Sequence, residues 1–268
     1  MRQTLTRAAV LRRLGGVPPF TSPRVRRSVV RANRRSRRWR RLAFERAGSM
    51  RYSQPAAWLE ETLAPHLPER GFFVEAGGHD GYTGSNTYYL ERRRGWRGVL
   101  VEAIPELYRE CVLARPGSQV FNCALVASDF GEAEVVMRYG GAQSVVKGAW
   151  AEVHDEAGSA SQLEWSSQGC THGWEEPYDV RVSARTLTSI LDEAEATDVD
   201  LLSLDVEGYE LQVLRGLDLD RYAPGVVVLE FFETFAQHSL EEIEALLGPA
   251  YRPLELPSPS DFAYVRVS

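Results

Sequence analysis

Acidic residues stand at the ends of short apolar runs, where a buried strand would deliver a carboxylate to a ligand. Glu75 ends the run FFVEA, and the loop AGGHDG that follows it carries Asp80. Glu102 ends the run VLVE, while Asp205 and Glu207 end the run LLSLDVE. Carboxylates accept hydrogen bonds from hydroxyl groups, balance positive charge and act as general bases. These positions therefore predict a site for a ligand that carries hydroxyl groups and a cationic group.

The glycine-containing loop narrows the class of ligand. Gly77 and Gly78 let the backbone turn sharply and approach a ligand closely. The loop contains neither GxGxxG nor a Walker lysine, and Glu75 and Asp80 would repel a pyrophosphate. An adenosyl ligand with a sulfonium and an ammonium group therefore fits better than NAD. A nicotinamide-dependent Rossmann oxidoreductase is the alternative, and the missing motif counts against it.

Two further positions fit an adenosyl ligand. Glu102 can accept hydrogen bonds from both ribose hydroxyls from the end of its strand. The backbone of NCAL, residues 122–125, can meet the edge of the adenine. Each position alone has an ordinary structural explanation, such as a helix cap, and the order of all of them along the chain is the more specific signal.

Apolar runs alternate with amphipathic segments along most of the chain, and this pattern predicts an α/β fold with a mostly parallel sheet and helices on both faces. In such sheets ligands bind at the carboxyl ends of the strands. The predicted strands are 72–76, 96–103, 119–126, 132–139, 178–184, 199–208 and 225–232, with a closing antiparallel pair at 251–256 and 261–267. The predicted helices are 53–67, about 85–93, 105–115, 186–195, 209–217 and 239–248.

Five stretches in this order resemble the FkbM family of S-adenosylmethionine-dependent methyltransferases. They are FVEAGGHDGYTGSNTYYLE, GWRGVLVEAIPELY, NCALVAS, RTLTSIL and LLSLDVEGYELQVLRGLD. The resemblance implies a seven-stranded, Rossmann-like class I methyltransferase fold with S-adenosyl-L-methionine as cofactor. It also implies O-methylation of a hydroxyl on a sugar, glycan or polyketide-type metabolite. His79 departs from the family, which often has a small polar residue there.

The resemblance also assigns roles to positions of this chain. It implies that Glu75, Gly77, Asp80 and Gly81 form the cofactor loop, with Asn86 and Thr87 near the methionine part of the cofactor. Glu102 would hold the ribose, and Ala124 and Leu125 would border the adenine. Asp205 and Glu207 would lie near the transferring methyl group.

Methyl transfer to an alcohol benefits from a general base, because a hydroxyl has a high pKa. The candidates are Asp205, Glu207 and His238, with His79 as a further one. Asp205 follows an apolar run, so burial can raise its pKa; the alternative is a carboxylate that orients the cofactor or caps a helix. His238 follows the apolar run at 225–232 and so approaches the same edge of the sheet. The spacing of the acids is not diagnostic of a metal site, and none is predicted.

Charge divides the chain into two parts. Residues 1–51 carry 16 arginines and one acid, Glu45, although the net charge of the whole chain is −6. We therefore predict an Arg-rich, disordered extension at 1–50 and a methyltransferase domain at 51–268 with an insertion at about 148–177. The extension is either a solvated tail, or translated from an upstream start, or an arm for an anionic membrane or nucleic acid. A non-catalytic relative tethered through that arm is a further alternative.

Three scattered cysteines, without a CxxC pair, favour a reducing compartment, and no apolar run reaches transmembrane length. A cytoplasmic location is the resulting expectation. The expected partner is a small-molecule or glycan hydroxyl acceptor, and the sequence carries no signal for an oligomeric state.

Overall fold

The computed structural model describes residues 61–141, 143–149, 178–232, 236 and 238–267. The expectations for the extension at 1–50, for the start of the helix at 53–67 and for almost all of the insertion at 148–177 lie outside these residues. None of the helices in the described part of the chain is long and apolar enough to cross a membrane.

Strands and helices alternate through the described residues. The strands are β1 (Phe72–Ala76), β2 (Arg97–Val101), β3 (Gln119–Phe121), β4 (Ala124–Leu125), β5 (Glu134–Tyr139), β6 (Val145–Val146), β7 (Tyr178–Arg185), β8 (Leu201–Leu204), β9 (Val226–Glu230), β10 (Tyr251–Leu254) and β11 (Asp261–Arg266). The helices are α1 (Tyr88–Arg94), α2 (Pro105–Ala114), α3 (Leu187–Glu193), α4 (Glu210–Arg215), α5 (Leu219–Tyr222) and α6 (Leu240–Leu247). Short 3₁₀ turns occupy Ala64–His66 and Gly248–Ala250.

Seven strands form the main sheet, in the order β10-β11-β9-β8-β1-β2-β3. Neighbouring strands from β3 to β9 are parallel, and β11 is antiparallel to both of its neighbours. The predicted α/β fold with a mostly parallel seven-stranded sheet and a C-terminal antiparallel strand is therefore confirmed. The closing pair of strands predicted at the C-terminus is present as β10 and β11.

Helices cover both faces of the main sheet, as the continuous apolar strands require. Alternate residues of one strand enter opposite cores: Val74 packs with α3, α4 and α6, whereas Phe73 packs with residues of α1 and α2. Both side chains are fully buried. The sheet is therefore the middle layer of three, and only its edges and strand ends are left for a ligand.

A smaller, four-stranded sheet has the order β4-β7-β5-β6. It packs against α2 through a third apolar core that contains Ile104 and Leu107. The single strand predicted at 119–126 is wrong, because the chain divides into β3 in the main sheet and β4 in the small one. The side chain of Asn122 donates to the carbonyl oxygens of Glu102 and Ala103 at 2.8 and 2.9 Å, and this holds the chain between the two strands.

The predicted helix starting near residue 85 begins later, at Tyr88. The preceding residues are held in a turn because their donors bond to the carboxylate of Glu75. The donors are the Ser85 hydroxyl, the Asn86 backbone N–H and the Thr87 hydroxyl, at 2.9, 2.8 and 2.7 Å. A long-range carboxylate thus competes successfully with the first turn of the helix.

Beneath this turn lies a fully buried guanidinium, that of Arg115 at the C-terminus of α2. It pairs with Glu75 at 3.1 Å and with Glu91 at 2.8 Å. It also donates to the Thr87 hydroxyl at 2.7 Å and lies over the ring of Phe73 at 5.1 Å from the centroid. One cation therefore joins β1, α1, α2 and the loop between β1 and α1.

Replacing this cation should be strongly destabilising. Arg115→Ala leaves two carboxylates with low exposure uncompensated, so we expect the free energy of unfolding to fall by about 3–5 kcal/mol, measured by urea denaturation. The control is Arg109→Ala on the same helix, where the side chain is 68% exposed and pairs with Glu106 at 3.9 Å; there we expect a change within about 0.5 kcal/mol. Equal, small losses in both variants would contradict this account.

Candidate active site

A cavity of about 210 Å³ opens at the carboxyl edge of the main sheet. The register places the ends of β1, β2, β8 and β9 side by side along this edge. Residues of both sheets line the cavity, and they include most of the predicted site. The predicted residues in its wall are Glu75, Gly77, Asn86, Glu102, Ala124, Leu125, Asp205 and Glu207, together with His79.

Gly77 has a structural requirement of its own. Its φ is +84°, a region that disfavours side chains, and a Cβ there would overlap the backbone carbonyl oxygen of Asp205. The backbone N–H of Asp205 in turn donates to the Ala76 carbonyl oxygen at 3.1 Å. The loop after β1 and the chain after β8 therefore touch backbone to backbone, and only glycine fits at this contact.

Glu75 lies at the cavity wall, but its carboxylate is already engaged. It accepts hydrogen bonds from the turn at 85–87 and pairs with Arg115, so it holds the loop in place. Asn86, which that turn positions, lines the cavity and donates from Nδ2 to the hydroxyl of buried Ser203 at 3.0 Å. The structure thus gives Glu75 an indirect part in the site, through the loop that it organises.

Four residues predicted to bind the cofactor lie outside the cavity wall. Asp80 caps its own loop, since it accepts from the Tyr82 and Thr83 backbone N–H groups at 3.0 and 2.6 Å. Burial on its own raises the pKa of Asp80, but hydrogen bonding and charge from His79 and the bonds from Thr83 bring it well below its usual value. Gly78 and Gly81 pack against Cys111, and Thr87 is the fully buried N-cap residue of α1. These four residues stabilise the loop and lie outside the cavity wall.

Glu102 lies at the cavity wall directly after β2. Its two carboxylate oxygens accept from the backbone N–H groups of His79 and Ile104, each at 2.7 Å. A carboxylate has about four lone-pair sites, so acceptor capacity is left for a ligand. Burial raises the pKa of Glu102 to about 7, although the two amide bonds lower it. The two bonds fix the side chain at the strand end, where a ribose acid is expected.

Part of the cavity wall is apolar, and its residues come from both α2 and the small sheet. Ala124 and Leu125 of β4 stand there with Leu107, Met137 and Val146. A flat aromatic base is a suitable occupant for such a wall, because apolar contact does not require polar partners. The wall of the cavity therefore combines an apolar part with carboxyl groups.

Asp205 and Glu207 form the acidic end and follow β8. Burial and then the charges of Glu207, Glu230 and Glu210 raise the pKa of Asp205 well above its usual value. Burial, Glu230 and Glu210 raise the pKa of Glu207 to about 8. Glu207 also has φ of +54°, which is uncommon for a residue with a side chain. Such backbone strain is often found where a side chain is held for function.

His238 does not line the cavity. Its ring packs on Phe231, with centroids 5.4 Å apart, and its Nε2 lies 3.8 Å from a carboxylate oxygen of Glu210. Burial lowers the pKa of His238, so it is neutral at pH 7. The structure places it behind the acidic end, and direct contact with an acceptor in the cavity is not supported.

Two acids of this region were missed from the sequence, Glu210 and Glu230. Glu210 is the first residue of α4 and is fully buried, although an acid in the first turn usually indicates an exposed helix start. Glu230 is the last residue of β9, and because Leu204 pairs with Leu229, it stands beside Asp205. The signal for Glu230 was present, since it follows an apolar run as Asp205 does.

The strand order and the cavity at the strand ends fit a class I, S-adenosylmethionine-dependent methyltransferase fold. The family model for the methyltransferase FkbM domain matches residues 75–255. The chain belongs to this family, as the resemblance implied. No curated protein shows significant sequence similarity to the chain.

Solved structures of methyltransferases are similar at low identity. A TehB-like SAM-dependent methyltransferase from Corynebacterium glutamicum is 11% identical, with 88% of this chain and 98% of that chain covered and a TM-score of 0.39. An RNA methyltransferase from Salinibacter ruber, in complex with S-adenosyl-L-homocysteine, is 16% identical, with 78% and 89% covered and a TM-score of 0.34. The N-methyltransferase NodS from Bradyrhizobium japonicum is 11% identical, with 79% and 93% covered and a TM-score of 0.35. These likenesses are too distant to carry an argument about the reaction.

The cofactor is S-adenosyl-L-methionine, and the donor set of the cavity fits it. Glu102 offers acceptors for ribose hydroxyls, the apolar wall offers contact for adenine, and the acidic end suits a cationic group. Among the described residues, no group of three or more histidine, cysteine, aspartate or glutamate side chains is arranged to hold a metal ion.

The raised pKa values predict how the stability of the protein depends on pH. Glu102 and Glu210 have pKa values of about 7 and Glu207 of about 8, against 4.5 for an ordinary glutamate. The folded state therefore holds protons that the unfolded state has lost, so stability falls as pH rises through this range. We expect the free energy of unfolding to fall by about 3–4 kcal/mol between pH 6.5 and 8.5.

Urea denaturation of the protein without ligand at several pH values measures this slope. Glu207→Gln should flatten the slope, because the amide does not titrate, whereas the exposed Glu134→Gln should leave it unchanged. A stability that stays constant or rises over this range would show that these acids are ionised in the folded state.

Proposed function

We propose that the protein is an O-methyltransferase that acts on a hydroxyl group of a sugar, glycan or polyketide-type metabolite. The observation that carries the proposal is the pair of acids at the cavity wall, Asp205 and Glu207, whose pKa values are raised. A carboxylate with a pKa near the working pH is a better proton acceptor than an ordinary one. An alcohol needs such an acceptor, since it is a weak nucleophile until its proton is removed.

Different residues of the cavity wall would bind the cofactor and remove the proton of the acceptor. S-adenosylmethionine, when bound, supplies an activated methyl group, so the protein mainly aligns the reactants. Glu102 holds the ribose hydroxyls, while Ala124 and Leu125 border the adenine. Asp205 and Glu207 stand at the acidic end, where one of them accepts the proton of the acceptor hydroxyl.

Two alternative functions, an oxidoreductase and a non-catalytic relative, have less support. Membership of a methyltransferase family gives no support to a nicotinamide-dependent oxidoreductase. A non-catalytic relative would not need its site acids, whereas Glu75, Glu102 and Asp205 are all present at the cavity. Tethering of the protein to an anionic membrane or nucleic acid through residues 1–50 stays a prediction. Salt-sensitive association that is lost on deletion of residues 1–49 would support tethering.

Glu102→Gln tests the assignment of the ribose site. We expect the affinity for S-adenosylhomocysteine to fall about 10- to 100-fold, because charge-assisted hydrogen bonds are lost. Calorimetric titration measures this change, with the exposed Glu69→Gln as a control of equal charge change. Unchanged affinity in a folded Glu102→Gln variant would remove Glu102 from the site.

Asp205→Asn tests proton removal. The acceptor is first found by transfer of labelled methyl groups from S-adenosylmethionine to a panel of hydroxylated sugars, glycans and polyketides, with matched amines beside them. If Asp205 is the base, the asparagine variant should lose at least about 100-fold in kcat with little change in cofactor affinity.

The position of the new methyl group, determined by mass spectrometry and NMR, decides the reaction type. A methyl group on nitrogen, with the matched alcohols unreactive, would contradict O-methylation. Equal loss of turnover and of cofactor affinity in Asp205→Asn would make Asp205 a cofactor ligand and leave Glu207 as the base.

A further inference from the structure

His79 lies in the loop after β1, lines the cavity and has two carboxylates as neighbours. Its backbone N–H donates to Oε2 of Glu102 at 2.7 Å. The Nδ1 of its ring is 3.6 Å from Oδ1 of Asp80, and the two side chains are 16% and 11% exposed. The residue therefore contacts Glu102 through its backbone and lies beside Asp80 through its ring.

The backbone conformation of His79 is uncommon. Its φ is +45°, in the left-handed region where residues with side chains are rare, although histidine and asparagine occur there more often than most. In this conformation its N–H reaches Glu102, which lies 23 residues further along the chain. Strained backbone at a binding site is often held for function.

The carboxylate of Asp80 is fixed and ionised. It accepts hydrogen bonds from the backbone N–H groups of Tyr82 and Thr83 and from the Thr83 hydroxyl, at 3.0, 2.6 and 2.9 Å. Burial by itself raises the pKa of Asp80, but the ring of His79 and the bonds from Thr83 bring that pKa well below its usual value. A fixed negative charge attracts a proton to a neighbouring imidazole. Asp80 therefore orients the ring of His79 and favours its charged form.

Glu102 depends on its surroundings to stay ionised. Burial raises its pKa to about 7, whereas the charge of His79 and the N–H bonds from Ile104 and His79 lower it. The ionised carboxylate is the stronger acceptor for hydroxyl groups. His79 thus favours, by two separate contributions, the form of Glu102 that a ribose would need.

The other charged groups around Glu102 do not supply this positive charge. Asp80 opposes its ionisation. Burial raises the pKa of the Cys111 thiol on α2 far above its usual value, so the thiol is neutral, and behind it Arg115 is paired with Glu75. Among the cavity-lining residues in the part of the chain that the structure describes, the histidine at position 79 has the one side chain that can carry a positive charge.

We propose that His79 is a positioning residue of the ribose site, whose backbone N–H and ring charge together hold Glu102 as an oriented carboxylate for the ribose hydroxyls. The inference rests on the proposed function, in which Glu102 binds the ribose of S-adenosylmethionine. It adds that the pair of His79 and Asp80 controls how well Glu102 does so. The affinity of the site for an adenosyl ligand therefore depends on a side chain that acts through Glu102.

His79→Asn removes the ring charge and keeps both the backbone N–H and a residue that tolerates positive φ. The pKa of Glu102 should then rise, so less of it is ionised near pH 6.5, while at pH 8.5 it is ionised in both proteins. We expect the variant to bind S-adenosylhomocysteine about three- to tenfold more weakly than the wild type at pH 6.5, and about twofold or less more weakly at pH 8.5.

Calorimetric titration of the full chain at the two pH values measures this ratio. Asp205 and Glu207 also titrate, but they do so in both proteins and their effect cancels in the ratio. Near-normal binding at pH 8.5 reports that the variant is folded. His66→Asn is the matched control, since it removes a half-buried imidazole outside the cavity wall and should leave the affinity unchanged at both pH values.

A second ligand identifies the part of the cofactor that is affected. The ligand 5′-methylthioadenosine has the same adenine and ribose and lacks the amino-acid part of S-adenosylhomocysteine. If His79 acts on the ribose site, His79→Asn should weaken both ligands by the same factor at pH 6.5, measured by competition. A loss confined to S-adenosylhomocysteine would place His79 at the amino-acid part and overturn the inference.

The double variant tests whether His79 acts through Glu102. In the Glu102→Gln background there is no carboxylate to keep ionised, so adding His79→Asn should change the affinity for S-adenosylhomocysteine by about twofold or less at both pH values. The full loss of the single variant, repeated in this background, would show direct action on the ligand and contradict the inference.

The outcomes for the inference and for the proposed function are distinguishable. If Glu102→Gln weakens binding but the ratio between wild type and His79→Asn is the same at pH 6.5 and 8.5, His79 has only a structural part and the inference fails alone. If Glu102→Gln leaves the affinity unchanged, the ribose assignment fails and the inference fails with it. Binding of neither ligand by the folded wild type would overturn the assignment of the cavity.

Discussion

The buried guanidinium of Arg115 holds in place the loop between β1 and α1, which forms part of the cavity wall. Arg115 compensates Glu75 and Glu91 and reaches the loop that connects β1 to α1. Glu75 can hold the turn at 85–87 because a cation compensates it, since an uncompensated carboxylate at 4% exposure would destabilise the fold. The position of Asn86 at the cavity follows from that turn. The position of the loop therefore depends on the ion pair between Arg115 and Glu75.

A second constraint acts where the chain after β1 touches the chain after β8. Gly77 allows the Asp205 carbonyl oxygen to approach its Cα, and the two strand ends are drawn together. This approach sets the position of the chain that carries Asp205 and Glu207, and the pairing of β8 with β9 places Glu230 beside Asp205. Burial, and then the charges of neighbouring acids, raises the pKa values of Asp205, Glu207, Glu210 and Glu230, and raised pKa values of this kind are common at functional sites. Close packing of these acids thus accounts for their raised pKa values.

The two glutamates at the ends of β1 and β2 show that similar sequence positions can have different parts in a site. Glu75 has its capacity used by protein donors and a cation, so it acts through the loop that it positions. Glu102 accepts hydrogen bonds from two backbone N–H groups and keeps lone pairs available beside the cavity. The difference lies in what surrounds each side chain, because both glutamates stand at the carboxyl end of an apolar strand and both are buried.

The sequence by itself determined the α/β class and most of the acids that line the cavity, and its resemblance to the FkbM family implied the family and the seven-stranded sheet. The class and the acids follow from local periodicity and from motifs whose residues lie close together in the chain. The residues assigned to cofactor and acceptor stay predictions until binding is measured. Most of the strands and helices also fell where the apolar runs placed them, within a few residues at their ends.

Only the tertiary structure decided which polar groups meet. Arg115 lies 40 residues from Glu75, and its burial against that acid has no local signal. The break between β3 and β4 depends on Asn122 reaching the carbonyl oxygens after β2, and the late start of α1 depends on Glu75. Asp80 was predicted in the cavity, yet it caps its own loop, because its nearest donors are two backbone N–H groups. The partners of a polar side chain are set by distances in the folded structure. The sequence shows directly only the residues that are its neighbours along the chain.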